Sequence, residues 1–279
     1  MEMSATRPAL AEASSGQPRA QGAVTLAVAR RGAATRLVGL RQEGALKLLF
    51  PQPRPGPMQA VLLNTSGGLT GGDRMRVSAE VGPGAALTLT TQAAERAYRA
   101  AEGVARSEVQ VRMGAGAKLH WLPQETILFE GAALERRLIL EMEEGAEALI
   151  AEPVIFGRRE MGEALARATF RDAWDVRLCG RLVFADALRF GPDAAATLAS
   201  PALGAGAGAM ASLLLVAPHA EGKLAPLREA LGPRGGASLV REGVLFARLL
   251  AEDGFRLRHH LEPALALLAG AALPKVWRL

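Results

Sequence analysis

Asp73 closes a segment that carries four glycines, Gly67, Gly68, Gly71 and Gly72, and glycines beside an ionisable group raise a phosphate-loop chemistry. Glycine lets backbone amides approach an anion closely. Such a loop needs Lys and then Ser or Thr after its last glycine, whereas Gly72 is followed by Asp73 and Arg74, and the acid repels phosphate. The segment therefore reads as a tight turn presenting a carboxylate. The carboxylates Asp73, Glu125, Glu130 and Glu163 could also pair for acid–base work. With Asp73 and Glu125 as acid and base, the alternative function is a carbohydrate-active enzyme on a β-solenoid. That enzyme usually needs aromatic sugar platforms, and only 4% of residues are aromatic. Gly204, Gly206 and Ala209 match a dinucleotide fingerprint formally, but the run from Ser212 reads as a strand where that fingerprint requires a helix. No Gly-x-Ser-x-Gly elbow is present, and Cys179 lies in a strand-like pattern with no His nearby, so no catalytic residue is assigned. His120, His219, His259 and His260 stand at no ligand spacing, and adjacent His259 and His260 point different ways on a helix. No tightly bound cofactor is expected. Weak oxygen ligands could still let a borderline metal pass through.

The elements that must position these groups are mostly strands. Met75, Val77, Ala79 and Val81 alternate with polar neighbours, the period-2 pattern of a half-buried strand. Counted back from Gly84, Gly116 and Gly145, the positions at three, five and seven residues are all apolar: Val77, Ala79, Val81; Val109, Val111, Met113; Leu138, Leu140, Met142. An alanine follows each glycine, and Leu87/Leu89, Leu119/Trp121 and Ala148/Ile150 continue the pattern beyond it. A strand-turn-strand unit of this kind cannot bury its apolar face alone, so its copies should stack. Three unrelated hairpins sharing glycine turns are the other reading. Further strands are expected over 45–50, 60–63, 174–184 and 212–217. Thr91 could cap a short helix running to Arg99, and Asp253 a longer one ending near Gly270, with Pro263 kinking or splitting it. The fold class is thus mainly β: stacked, β-solenoid-like strand-turn-strand units with a few helices, including a C-terminal helical segment. A flexible tail is expected over residues 1–20 and one domain over 21–279.

Composition narrows the partners. The chain is 49% hydrophobic and 22% charged, ordinary for a globular protein. Its net charge of +5 is dispersed and is dominated by Arg, with Lys only at Lys47, Lys118, Lys223 and Lys275. No run forms a basic arm and few aromatics are available for base stacking, so no nucleic-acid partner is expected. No window holds the roughly 18 apolar residues of a membrane helix, and the N-terminal stretch lacks an apolar signal core. A single cysteine requires no oxidising compartment. A cytoplasmic protein without a membrane partner is the expectation.

The segment from Leu63 to Arg74, Leu-Asn-Thr-Ser-Gly-Gly-Leu-Thr-Gly-Gly-Asp-Arg, resembles the Gly-Gly-Leu-x-Gly-Gly-Asp signature of the urease accessory protein D family, called UreH in some organisms. Four further stretches are similar to that family in the same order: Leu89 to Ala93 leading to Tyr98 and Arg99; Leu122 to Gly131; Gly157 and Arg158 with Gly162 and Glu163; and Leu273 to Trp277. The likeness spans roughly residues 20 to 279. It implies a β-rich scaffold that does no chemistry on a substrate. It also implies binding to apo-urease with two other accessory proteins, F and the GTPase G, so that nickel reaches the urease active site. Family members are thought to pass nickel along an internal water-filled route, and the matching positions make Asp73, Glu125 and Glu163 the residues expected to line it. The alternative for all three is hydrogen bonding to backbone amides in tight glycine turns.

Overall fold

The computed structural model describes residues 18–51, 56–158 and 162–278. The chain opens with a hairpin, β1 (Gln21–Arg31) and β2 (Ala34–Gly44), followed by β3 (Leu46–Leu49) and β4 (Met58–Asn64). Three coils follow: β5 (Arg74–Val81) with β6 (Ala86–Thr91), β8 (Ala105–Met113) with β9 (Lys118–Leu122), and β11 (Ala132–Met142) with β12 (Glu147–Phe156). Two short strands, β7 (Glu95–Ala97) and β10 (Thr126–Leu128), lie in the returns between coils. A second hairpin, β13 (Ala168–Leu178) and β14 (Arg181–Phe190), leads to α1 (Ala194–Ala199), β15 (Ala209–Val216), α2 (Ala220–Leu231), β16 (Gly235–Arg241), β17 (Val244–Ala251) and α3 (Gly254–Ala269).

Each coil gives one strand to each of two facing sheets. The first sheet runs β14-β13-β11-β8-β5-β1-β2, and the second runs β16-β17-β15-β12-β9-β6-β4-β3, with β7 and β10 attached beside β12. The expected repeat is present in register: Val77 pairs with Val109 and Val109 with Leu138, all parallel. The glycine turns stack as well. The Gly84 N–H donates to the Ala115 carbonyl at 2.9 Å and the Gly116 N–H to the Glu144 carbonyl at 3.0 Å, while all three turn glycines hold φ between +63° and +70°. Parallel stacking of this kind excludes three independent hairpins, whose strands would pair antiparallel within each unit.

The core lies in two layers. Between the sheets, Leu26, Leu87, Leu119, Leu140 and Phe170 are fully buried. On the outer side of the second sheet, Leu213, Leu249, Leu261, Leu265 and Trp277 pack with α2 and α3. Each such aliphatic side chain contributes about 1.5–3 kcal/mol by leaving water, and small residues such as Ala79, Ala148 and Ala211 allow the layers to approach closely. Among the described residues no helix is long and apolar enough to cross a membrane.

Three local expectations are corrected. No helix follows Thr91: residues 95–97 are a strand that pairs with β10, and Leu69 forms a bridge to Ala97, so the backbone there is already engaged in a ladder. Residues 174–184 are two strands joined at Cys179 and Gly180, which adopt φ of +49° and +73°; Cys179 is thus at an exposed hairpin tip. Pro263 does not split α3, which runs unbroken from Gly254 to Ala269; it sits on the exposed side while Leu257, Leu261, Leu265 and Leu268 anchor the opposite face. The Asp253 cap is present, its carboxylate accepting the Arg256 N–H at 2.7 Å, and Gly270 ends the helix in the left-handed conformation. Helix α2, with Pro226 inside it, was not expected from the sequence. Of the expected tail, residues 1–17 lie outside the described residues.

Candidate functional site

The glycine segment forms the turn from β4 into β5, and its geometry explains its glycines. A Cβ on Gly68, at φ +151°, would lie 2.4 Å from the Tyr98 ring, and one on Gly71 would lie 2.1 Å from the Glu102 carbonyl oxygen. Gly67 and Gly72 hold positive φ as well, the region that disfavours other residues. The close approach lets Leu69 act as a short strand: its N–H donates to the Arg96 carbonyl and its carbonyl accepts the Tyr98 N–H, both at 2.7 Å. Asn64 spans the turn, donating to Glu95 at 3.0 Å and accepting the Ser66 N–H at 3.0 Å.

Asp73 is buried at the end of this turn. Its Oδ1 accepts the Ala20 N–H at 2.7 Å and its Oδ2 the Thr70 N–H at 2.8 Å, while its backbone carbonyl accepts the Arg106 N–H at 2.8 Å. It therefore ties the entry to β1, its own turn and β8 together. Glu163 behaves similarly, accepting the Glu130 N–H at 2.8 Å and pairing with Arg158. Those contacts hold its carboxyl below the usual range, the Arg158 hydrogen bond contributing most. Glu130 in turn accepts the Ala166 and Arg167 N–H groups, and the Arg167 amide leads the forces that lower its carboxyl. Glu125 is also buried, but both of its oxygens are taken by the Arg258 guanidinium, at 2.6 and 2.9 Å. Asp73 and Glu125 thus each have protein partners that occupy their carboxylates.

The structure brings together a different set. On β11, Arg136 occupies the inward phase otherwise held by Leu134, Leu138 and Leu140, and its guanidinium lies between the sheets. It contacts Asp172 on β13 at 2.5 Å and Glu152 on β12 at 2.7 Å, and donates to Thr126 at 2.9 Å. Trp121 Nε1 donates to Glu152 at 2.7 Å. None of the three ionisable side chains keeps more than 10% of its surface exposed. Burial pushes the Glu152 carboxyl up to about 7, with Asp172 adding to the rise and Arg136 and Trp121 opposing it. Glu95 is raised too, again chiefly by burial.

This cluster borders open space on two sides. Arg136 and Asp172 line a partly enclosed cavity of about 70 Å³ together with Glu95, Gln124, Trp121 and Glu152. Arg136 also reaches a groove of about 620 Å³ on the surface, beside Asp186 and Trp174. At ~30 Å³ per molecule the inner cavity has room for about two waters, and the polar side chains set among its largely apolar walls offer them partners. Arg136 Nε, buried without a hydrogen-bond partner, is one such group. Among the described residues no three or more His, Cys, Asp or Glu side chains are arranged to hold a metal ion.

The sequence reading missed this cluster although a signal was present. Arg136 stands nine residues before Gly145 and Glu152 seven after it, in phase with the apolar series on each side. Charged residues at positions reserved for the core are the mark of a built polar interior.

Comparison with known proteins agrees with the fold and motifs. Residues 20–278 match the model of the UreD urease accessory protein family. The urease accessory protein UreD of Mesorhizobium japonicum is 47% identical over 265 residues, covering 94% of this chain and 95% of the relative. That of Roseobacter denitrificans is 47% identical over 264 residues, covering 94% and 96%, and that of Brucella suis 47% over 263 residues, covering 93% and 94%. The chain belongs to the UreD family of urease accessory proteins.

Proposed function

We propose that this protein is a non-enzymatic urease maturation factor of the cytoplasm. It binds apo-urease together with accessory proteins F and G, and nickel passes through this assembly into the urease active site. The observation that carries the reading is the ionisable interior formed by Arg136, Glu152 and Asp172 at the meeting of the two sheets. Burying such charges opposes folding unless they are paired, and hydrophobic replacements of similar volume are often as stable. An interior of this kind offers carboxylate oxygens to an ion that has shed most of its water, which an apolar core would not.

Nickel enters this account as cargo. Oxygen ligands that hold it weakly would release it onward. Asp73, Glu125 and Glu163 remain proposed contributors, and their protein partners suit them to holding the walls of a route. Glu95, Glu152 and Asp172 extend the proposal to the cavity itself. The test is a strain lacking this gene. Urease subunits should be present, inactive and poor in nickel, and normal urease activity in that strain would refute the proposal.

A further inference from the structure

The outer face of the first sheet carries its charged side chains in rows, because strands in register place residues of one face opposite each other. Two rows alternate in sign: Arg76, Glu108 and Arg137 form one, and Glu80, Arg112, Glu141 and Arg177 the other. Opposite charges facing across neighbouring strands stabilise a sheet, and like charges do the reverse.

A third row breaks that rule. From β14 to β5 it reads Arg189, Arg171, Glu135, Arg106 and Arg74, so that Arg171 faces Arg189 directly and Arg74 faces Arg106 directly. Glu135 is the one acid in it, and Arg106 holds it at 3.1 Å. All four arginines are exposed, and among the described residues Arg74, Arg171 and Arg189 make no ion pair. Two surface grooves, each of about 620 Å³, meet on this row at Arg106; Arg171 lines one and Arg74 the other. Every acid that lines them is already paired with an arginine of this chain, Glu108 with Arg76 and Asp175 with Arg137 among them. Arg136 is held by Glu152 and Asp172, so the uncompensated charges of the grooves are Arg74 and Arg171.

The dimensions of the row define what fits it. Strands lie about 4.8 Å apart, so the four steps from Arg74 to Arg189 cover about 19 Å. In an extended peptide every second side chain points the same way and recurs after about 6.7 Å, so four such side chains cover about 20 Å. Guanidinium groups bind carboxylates through paired hydrogen bonds. A single strand of nucleic acid also carries spaced anions, but it is held largely by base stacking, and none of the three rows contains an aromatic residue. We infer that this arginine row is a docking strip for an extended acidic segment of a protein partner, laid across the strands with a carboxylate at every second position.

The test uses the full chain at low salt and a synthetic peptide, Ser-Glu-Thr-Glu-Thr-Glu-Thr-Glu-Ser. The peptide should bind, and exchanging its glutamates for glutamine should weaken binding at least about tenfold, since several exposed ion pairs of modest strength are lost together. Gathering the four glutamates into one block should weaken it severalfold. Arg74→Glu with Arg189→Glu should also weaken binding at least about tenfold. In the fold each of these changes turns a like pair into an opposite one, so the melting temperature should hold or rise, which loss of a structural contact would not produce. Arg112→Ser, in an alternating row, should leave binding within about twofold. Absence of binding, equal binding of the glutamine or block peptide, or undiminished binding by the double variant overturns the inference. Tighter binding of a nine-residue oligothymidylate, lost in the same variant, overturns it in favour of nucleic acid.

Discussion

Arg136 on one sheet and Glu152 on the other meet at 2.7 Å in the space between them, an ion pair that crosses the core. With Asp172 also on the guanidinium, removing Arg136 alone would leave two carboxylates buried and uncompensated. Arg136→Met should therefore destabilise the fold by about 3–5 kcal/mol near neutral pH. Combining it with Glu152→Gln and Asp172→Asn should recover a large part of that loss. Denaturant unfolding gives both values, and a single variant as stable as the parent would contradict the assignment.

The same cluster sets a pH dependence. The Glu152 carboxyl ordinarily titrates near 4.5 and is raised to about 7 in the fold, so the folded chain holds a proton that the unfolded chain has released between those values. That contribution to stability is fully present below pH 4.5 and is lost as pH rises toward 7, at up to about 1.4 kcal/mol per pH unit. Glu95, raised by burial, adds a slope of the same sign. His120, lowered by burial and by Lys118, adds one of opposite sign below 6.5. Both groups are common to the parent and to Glu152→Gln, so the difference between the two proteins isolates Glu152. The variant should lose stability less steeply from pH 5 to 7, and parallel curves would rule the assignment out.

Asp73 gives a third prediction. Asp73→Ala leaves the Ala20 and Thr70 N–H groups without their acceptor and should destabilise by about 3 kcal/mol, while Asp73→Asn, which keeps one oxygen, should lose less. Gly68→Ala should lose at least about 2 kcal/mol, since it combines positive φ with a clash against Tyr98. Thermal melting of the three variants orders them.

The stacked architecture was legible because a coil repeats its apolar phase around a turn glycine. The spacing of Val77, Val109 and Leu138 in sequence is the register seen in the sheet. Local propensity misled where the partner was distant. Residues after Thr91 look able to start a helix, but Leu69 and β10 claim their backbone. The roles of the carboxylates were hidden for a similar reason. Glu125 meets Arg258 across 133 residues and Asp73 meets Ala20 across 53, and no single sequence displays such pairings. Arg136 and Glu152 are the instructive case: their phase marked them as inward, yet attention to motifs bypassed two charges on apolar positions.

The proposed passage of nickel through the interior gives the last prediction. A dication meeting Arg136 is repelled unless both neighbouring carboxylates are ionised, and Glu152, raised to about 7, is the one whose charge varies near neutrality. Glu152→Gln mimics its protonated form in nearly the same volume, and Trp121 can still donate to the amide oxygen. Because the substitution lies inside the core, assembly with urease and the other accessory proteins should be unchanged. The nickel content of the resulting urease, measured on the purified enzyme, should fall severalfold, and the parent protein should load urease less well as pH drops below about 7. Full nickel loading by a Glu152→Gln assembly would place the route elsewhere.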